Sequence, residues 1–186
     1  MNIMLGTEQE IDAVLRIVRQ TVAEMKTYGN DQWDEHYPLR DRFVEDVANQ
    51  ALYVVQDEVF QNINASMNGP GLGKSGLEPT SIMGFIVVDR EEPEGYELMQ
   101  WRSDRPCLVV HRLAVSAEYR QRGVASAMEA FACELARDQA IPYLKVDTHS
   151  TNQRMQQFLE RKGYVNTGEM MAMGKNKPFY CYDKLL

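Results

Sequence analysis

Apolar residues recur at two different periods along this chain, and the places where the period switches divide it into elements. Ile11, Val14, Leu15, Val18 and Val22 keep helical spacing, which predicts a helix with one apolar face packed on a sheet. Thr7 and Glu10 stand just ahead in the spacing of a capping box, and residues 3–5 before them read as a short strand. Residues 28–38 break the pattern. A second helix is predicted over 39–49 with Phe43 and Val47 inward, followed by a strand pair at 52–55 and 82–88. The apolar run 107–115 is a long strand, and 126–137 is an amphipathic helix. Residues 143–148 form a further strand, entered through Pro142, which blocks continuation of the helix before it. Ser150 and Gln153 are read as the cap of a helix running to Lys162, with Gly163 as its left-handed stop. Residues 179–186 are a last strand.

This order describes one mixed α and β domain over residues 1–186, with no internal repeat. Residues 60–80, rich in Asn, Gly, Ser and Pro, are longer than a hairpin connection and are expected to be a flexible insertion. They contain Gly69-Pro70-Gly71-Leu72-Gly73-Lys74-Ser75, which invites a nucleotide-triphosphate reading. A Walker A loop needs glycine five positions before Gly73, where Asn68 stands, and helical periodicity does not follow.

Composition narrows the partners. Net charge is -7, but residues 107–186 hold 11 Lys+Arg against 8 Asp+Glu, net +3, while residues 1–106 hold 9 against 19, net -10. That asymmetry suits an anionic ligand on the C-terminal half and a cationic one on the N-terminal half, and argues against nucleic acid. An ordinary acidic surface explains the N-terminal half equally well. No apolar run approaches the roughly 20 residues that span a bilayer, so no membrane partner is expected. The first residues lack a basic region and a cleavage signal, so a cytoplasmic location is expected. Three widely spaced cysteines, Cys107, Cys133 and Cys181, lie in apolar surroundings and are read as core thiols.

The loop between the long strand and its helix carries the clearest chemistry. Arg120-Gln121-Arg122-Gly123-Val124-Ala125, with Ser126 after it, reads as a tight basic loop opening a helix. A helix N-terminus offers free N–H groups and a favourable dipole to phosphate, and a glycine removes the Cβ that would hold an anion away. The loop fits Q/R-x-x-G-x-G/A. With His111-Arg112-Leu113-Ala114-Val115 before it, it resembles the acetyl-CoA-binding core of the GCN5-related N-acetyltransferases. Asn152, Met155, Phe158 and Gly163-Tyr164 resemble that family's second signature, and Gln32 to Pro38, Tyr96 and Trp101 extend the likeness to an uncharacterised bacterial subgroup.

The resemblance implies a mostly antiparallel, twisted sheet splayed at its two central strands and flanked by about four helices. It implies an acetyl-CoA-dependent transferase with no metal. Loop residues 120–126 would hold the pyrophosphate, Leu113, Ala114 and Val115 the pantetheine arm, and Asn152, Met155 and Phe158 the other side. The acceptor is an amine on a small molecule or peptide. Dimerisation is common in the family. The alternative is a CoA-binding sensor or interaction module with weak turnover or none.

Acetylating an alkylamine needs its neutral form, which near pH 7 costs roughly 4.6 kcal/mol for a pKa near 10.4. The departing thiolate, with a pKa of about 8.5, makes an acid the smaller need. His111 is the first candidate base, since imidazole titrates near neutrality; the alternative is a hydrogen-bonded histidine of the sheet. Asp147 and His149, ending the next strand, share or orient the base role, or else tie down the turn and cap the helix. Trp33, Glu35 and Tyr37 lie in the segment that covers the acceptor in the family, with an aromatic clasp between the helices as the alternative for the two rings. Many members carry a tyrosine acid where this chain has Leu159, which leaves Tyr164 or Tyr180 as a substitute.

Overall fold

A computed structural model describes residues 1–56 and 82–186, so the predicted insertion at 60–80 lies outside the described residues. Seven strands form one sheet in the order β1-β2-β3-β4-β5-β7-β6: β1 Asn2–Leu5, β2 Leu52–Gln56, β3 Ile82–Asp89, β4 Leu108–Val115, β5 Tyr143–His149, β6 Val165–Met170 and β7 Phe179–Leu185. All neighbours are antiparallel except β4 and β5. The described helices are α1 Ile11–Thr27, α2 Arg40–Ala48, α3 Val124–Asp138 and α4 Gln153–Arg161.

The helices form where the apolar periodicity placed them, and each buries the stripe that defined it. Thr7 and Glu10 make the predicted capping box, which closes a single 3-10 turn leading into α1. Ile11, Val14 and Val18 of α1 and Phe43 of α2 are buried with Phe85 and Val87 on one face of the sheet. On the other face, Met128 and Ala132 of α3 pack with Ile86, Leu144 and Tyr182. The three cysteines are buried free thiols, as their apolar settings predicted.

Two local readings are corrected. Asn152, rather than Ser150, is the N-cap of α4: its side chain accepts from the backbone N–H of Met155 at 3.3 Å, while the Gln153 backbone already belongs to the helix. Strand β6 was not foreseen. It is an edge strand with largely exposed or half-buried positions, so it lacks the alternation that marks a half-buried strand.

Candidate active site

β4 and β5 are paired only as far as Val110 and Val146. Beyond that point β4 runs on to Val115 with β3 as its strand partner, and β5 runs on to His149 with β7. The two central strands part, and the first residues past the fork are His111 and Asp147. From there their facing edges carry backbone N–H and C=O groups without a strand partner, a surface suited to a ligand with amide groups.

A β-bulge coincides with the fork. Val87 faces Arg112 while Val88 faces Val110, so His111 is the extra residue. The bulge resets the alternation of β4. Leu108 and Val110 pack beneath α3, and Leu113 and Val115 return to that same face. Arg112 instead reaches α2, and Ala114 packs against the α1 side.

Two cavities meet at the fork. The inner one, about 40 Å³, has room for a few water-sized groups and is lined by Leu113, Asn152, Met155, Phe158, Leu159 and Tyr164. The outer one, about 370 Å³, is lined by residues including Tyr37, Arg42, Glu91, Glu92, Glu94 and Arg112. Gln32, Trp33, His111 and Asp147 line both. Groups entering from opposite sides would meet at these four side chains.

The carboxyls of Asp89 and Asp147 beside the fork are shifted in opposite directions. His111 Nε2 lies 2.7 Å from Asp89 Oδ1. Burial pushes the Asp89 carboxyl up, but the hydrogen bond and charge of His111 outweigh it and hold Asp89 below its ordinary value. For Asp147 burial wins: its carboxyl is raised, although the Tyr96 hydroxyl donates to Oδ2 at 2.8 Å and His111 pulls the other way.

Of the residues named from the sequence for catalysis or the acceptor, His149, Glu35 and the substitute acid Tyr180 line neither cavity. His149 is fully buried, edge-on to Phe179 at 5.2 Å, with Nδ1 2.8 Å from Thr151 Oγ1, and burial lowers its pKa. Glu35 faces solvent and pairs with Lys26 at 3.0 Å. Trp33 stacks on Phe85 with centroids 6.3 Å apart, so the ring belongs to the core as well as to the cavity wall. Gln32 was not singled out; its Oε1 accepts from His149 N at 3.2 Å and so ties the segment after α1 to the end of β5. A lone glutamine in a polar loop carries no sequence signal for such a role.

The basic loop keeps its predicted shape with one shift. Helix α3 starts at Val124 rather than Ser126, which places Val124, Ala125 and Ser126 in the first turn. Gly123 is the N-cap at φ 82°, and no side chain caps the helix. A Cβ at Gly123 would meet nothing within 4 Å, and Gln121, Arg122 and Gly123 are exposed, so an anion can approach the free N–H groups. Arg122 lies over the Tyr119 ring, 5.5 Å from its centroid. Arg120 is engaged elsewhere: it pairs with Glu24 of α1 at 2.5 Å, and Glu24 also takes Arg154 of α4 at 2.5 Å. The helix terminus and Arg122 suit a diphosphate, and the strand edge left without a strand partner past Val110 suits an extended amide-bearing arm.

The sequence model of the Acetyltransferase (GNAT) family matches residues 31–164. The chain belongs to the GNAT acetyltransferase family. Members of this family transfer acyl groups from CoA. A GNAT-family acetyltransferase from Streptococcus agalactiae 2603 is 24% identical, with 100% of this chain and 95% of that one covered and a TM-score of 0.77. Ribosomal-protein-alanine N-acetyltransferase from Brucella melitensis is 15% identical with 100% of both chains covered and a TM-score of 0.65. The NatC complex bound to Gag peptide and CoA contains a chain 16% identical to this one, with 100% of this chain and 99% of that one covered and a TM-score of 0.65. These likenesses show a shared fold. No curated protein sequence matches the chain.

Within this GNAT domain, Leu159 lines the inner cavity where many members carry a tyrosine, and Tyr164 lines the same cavity with its hydroxyl pKa raised well above the ordinary value by burial. Three buried charges, Arg112, Asp46 and Glu129, escaped the sequence reading. Arg112 holds Asp46 through Nη2 at 2.6 and 2.7 Å and donates from Nη1 to the Tyr37 hydroxyl at 2.9 Å. Glu129 of α3 reaches the inner cavity and accepts from Lys184 Nζ at 2.7 Å. In the outer cavity both arginines are answered by Asp46, and Glu92 by Lys145 at 2.8 Å. Glu91 and Glu94 have no ion-pair partner among the described residues, which leaves the GNAT outer cavity net acidic.

Proposed function

We propose that this protein is an N-acetyltransferase that passes the acetyl group of acetyl-CoA directly to a primary amine, with both substrates bound at once. The observation that carries this reading is the meeting of the two cavities at His111 and Asp147, where the central strands of a GNAT domain part. Bound acetyl-CoA supplies a thioester whose carbonyl carbon is open to attack. The N–H groups opening α3 and the guanidinium of Arg122 hold the diphosphate, and the free edge of β4 from Leu113 to Val115 holds the arm. Asn152, Met155 and Phe158 close its other side. Trp33 and Tyr37 wall the acceptor cavity, and Glu91 and Glu94 draw in a cationic amine, on a small molecule or a peptide. His111 removes the proton that the attacking amine must lose.

The second reading, a CoA-binding module without turnover, is favoured by Leu159 in place of the usual acid. Free-thiol release from acetyl-CoA separates the two over a panel of diamines, amino acids and peptides with free N-termini. Release should require an amine and favour cationic ones, and His111→Ala should lower kcat by about 10²-fold or more. If CoA binds but no amine raises release above that of acetyl-CoA alone, the module reading replaces the enzyme.

A further inference from the structure

We propose that Asp89 is a positioning residue for this reaction: it accepts the Nε2 proton of His111, fixes the ring in that tautomer, and leaves Nδ1 as the lone pair that takes the amine proton. This rests on the reading of His111 as the base. Asp89 ends β3 directly beside the bulge that makes His111 the extra residue of β4, and the two side chains meet at 2.7 Å. The carboxylate is itself oriented, because Oδ1 also accepts from the Glu91 backbone N–H at 2.8 Å. Asp89 lines neither cavity, so it acts through the imidazole rather than on a substrate. Nδ1 of His111 has no hydrogen-bond partner among the described residues, whereas the ring itself lines both cavities.

Facing His111 are Asp89 from β3, Asp147 from β5, and Glu91, Glu92 and Glu94 across the outer cavity. Arg112, its chain neighbour, is matched by Asp46 of α2, while Glu129 and Tyr164 line the inner cavity. The ammonium first releases one proton to solvent; as the neutral amine nitrogen then bonds to the acyl carbon, its next proton moves to Nδ1 and the carbon–sulfur bond breaks to leave thiolate. The imidazolium proton then returns to the thiolate through solvent, giving amide and thiol.

Nitrogen-15 shifts of the imidazoles, tractable with only three histidines in the chain, should show wild-type His111 protonated at Nε2 and free at Nδ1. In Asp89→Asn that preference should be lost, kcat should fall about tenfold, and KM for acetyl-CoA should stay unchanged. The acidic limb of the kcat/KM profile should move to lower pH, because the imidazolium has lost its counter-charge. A proton on Nδ1 in the wild type overturns the proposal, and needs no variant to fold. So does an Asp89→Asn enzyme with unchanged tautomer, rate and pH limb. His111→Ala retaining the wild-type acidic limb sinks the base reading instead. If no amine is turned over, the reaction reading fails while the tautomer still decides whether Asp89 orients the ring.

Discussion

At the scale of single residues, the least expected feature is a charge buried beside the fork. Arg112 is 2% exposed and Asp46 3%, yet the sequence presents Arg112 as one polar position in an apolar strand. Burial raises the Asp46 carboxyl, with Arg112 opposing that shift, so the pair is held by its geometry against a desolvation cost. Removing Arg112 leaves Asp46 buried and, among the described residues, with only the more distant Arg42, at 3.9 Å, against its charge. Arg112→Met should cost about 3–5 kcal/mol in urea unfolding, and Arg112→Met with Asp46→Leu should recover most of it. A single variant within about 0.5 kcal/mol of wild type would show that water reaches Asp46 freely. No spacing rule could have announced this pair, since its members stand 66 residues apart and meet only through the tertiary fold.

At the scale of elements, the helices were legible because each has one buried and one wet face, and the central strands because burial on both faces makes them near-continuous apolar runs. The turn into α3 was legible because glycine, basic residues and a change of period coincide there. The bulge at His111 was not, since an inserted residue in an apolar strand leaves the composition unchanged while reversing which side chains share a face. The edge strand β6 and the Asn152 cap escaped for local reasons: weak alternation in one, and a competing Ser150-x-x-Gln153 signal in the other. The α3 terminus allows strain and charge to be separated. Gly123 sits at φ 82°, so Gly123→Ala adds strain of about 1 kcal/mol but meets no neighbour, whereas Gly123→Glu adds the same strain and an anion at the proposed diphosphate site. Calorimetric titration with CoA should find the Ala variant within a few-fold of wild type and the Glu variant weaker by at least about tenfold. Equal losses in both would assign the effect to backbone strain alone.

At the scale of the whole molecule, a ligand bound at the fork would touch several separate elements at once. The β4–β5 contact ends at Val110 and Val146, and from there α3 and α4 approach the cleft from one face while the segment after α1 closes the other. A cofactor lying along the cleft would bridge β4, the α3 terminus and α4, so its binding free energy would appear as folding stability. At a concentration 100 times its Kd, acetyl-CoA should add about 2.7 kcal/mol. For a chain of this length that should raise Tm by roughly 5–11 °C. Because the ligand is a polyanion meeting a C-terminal segment of net charge +3, affinity should weaken with salt, and at fixed ligand concentration the rise should shrink as sodium chloride goes from 0.05 to about 0.5 M. Gly123→Glu should remove about half of the rise or more without lowering the Tm of the free protein much more than Gly123→Ala does. A full rise in Gly123→Glu would place the diphosphate away from the α3 terminus, and the loop's role with it; no rise in the wild type at millimolar acetyl-CoA would remove the cofactor from the cleft altogether.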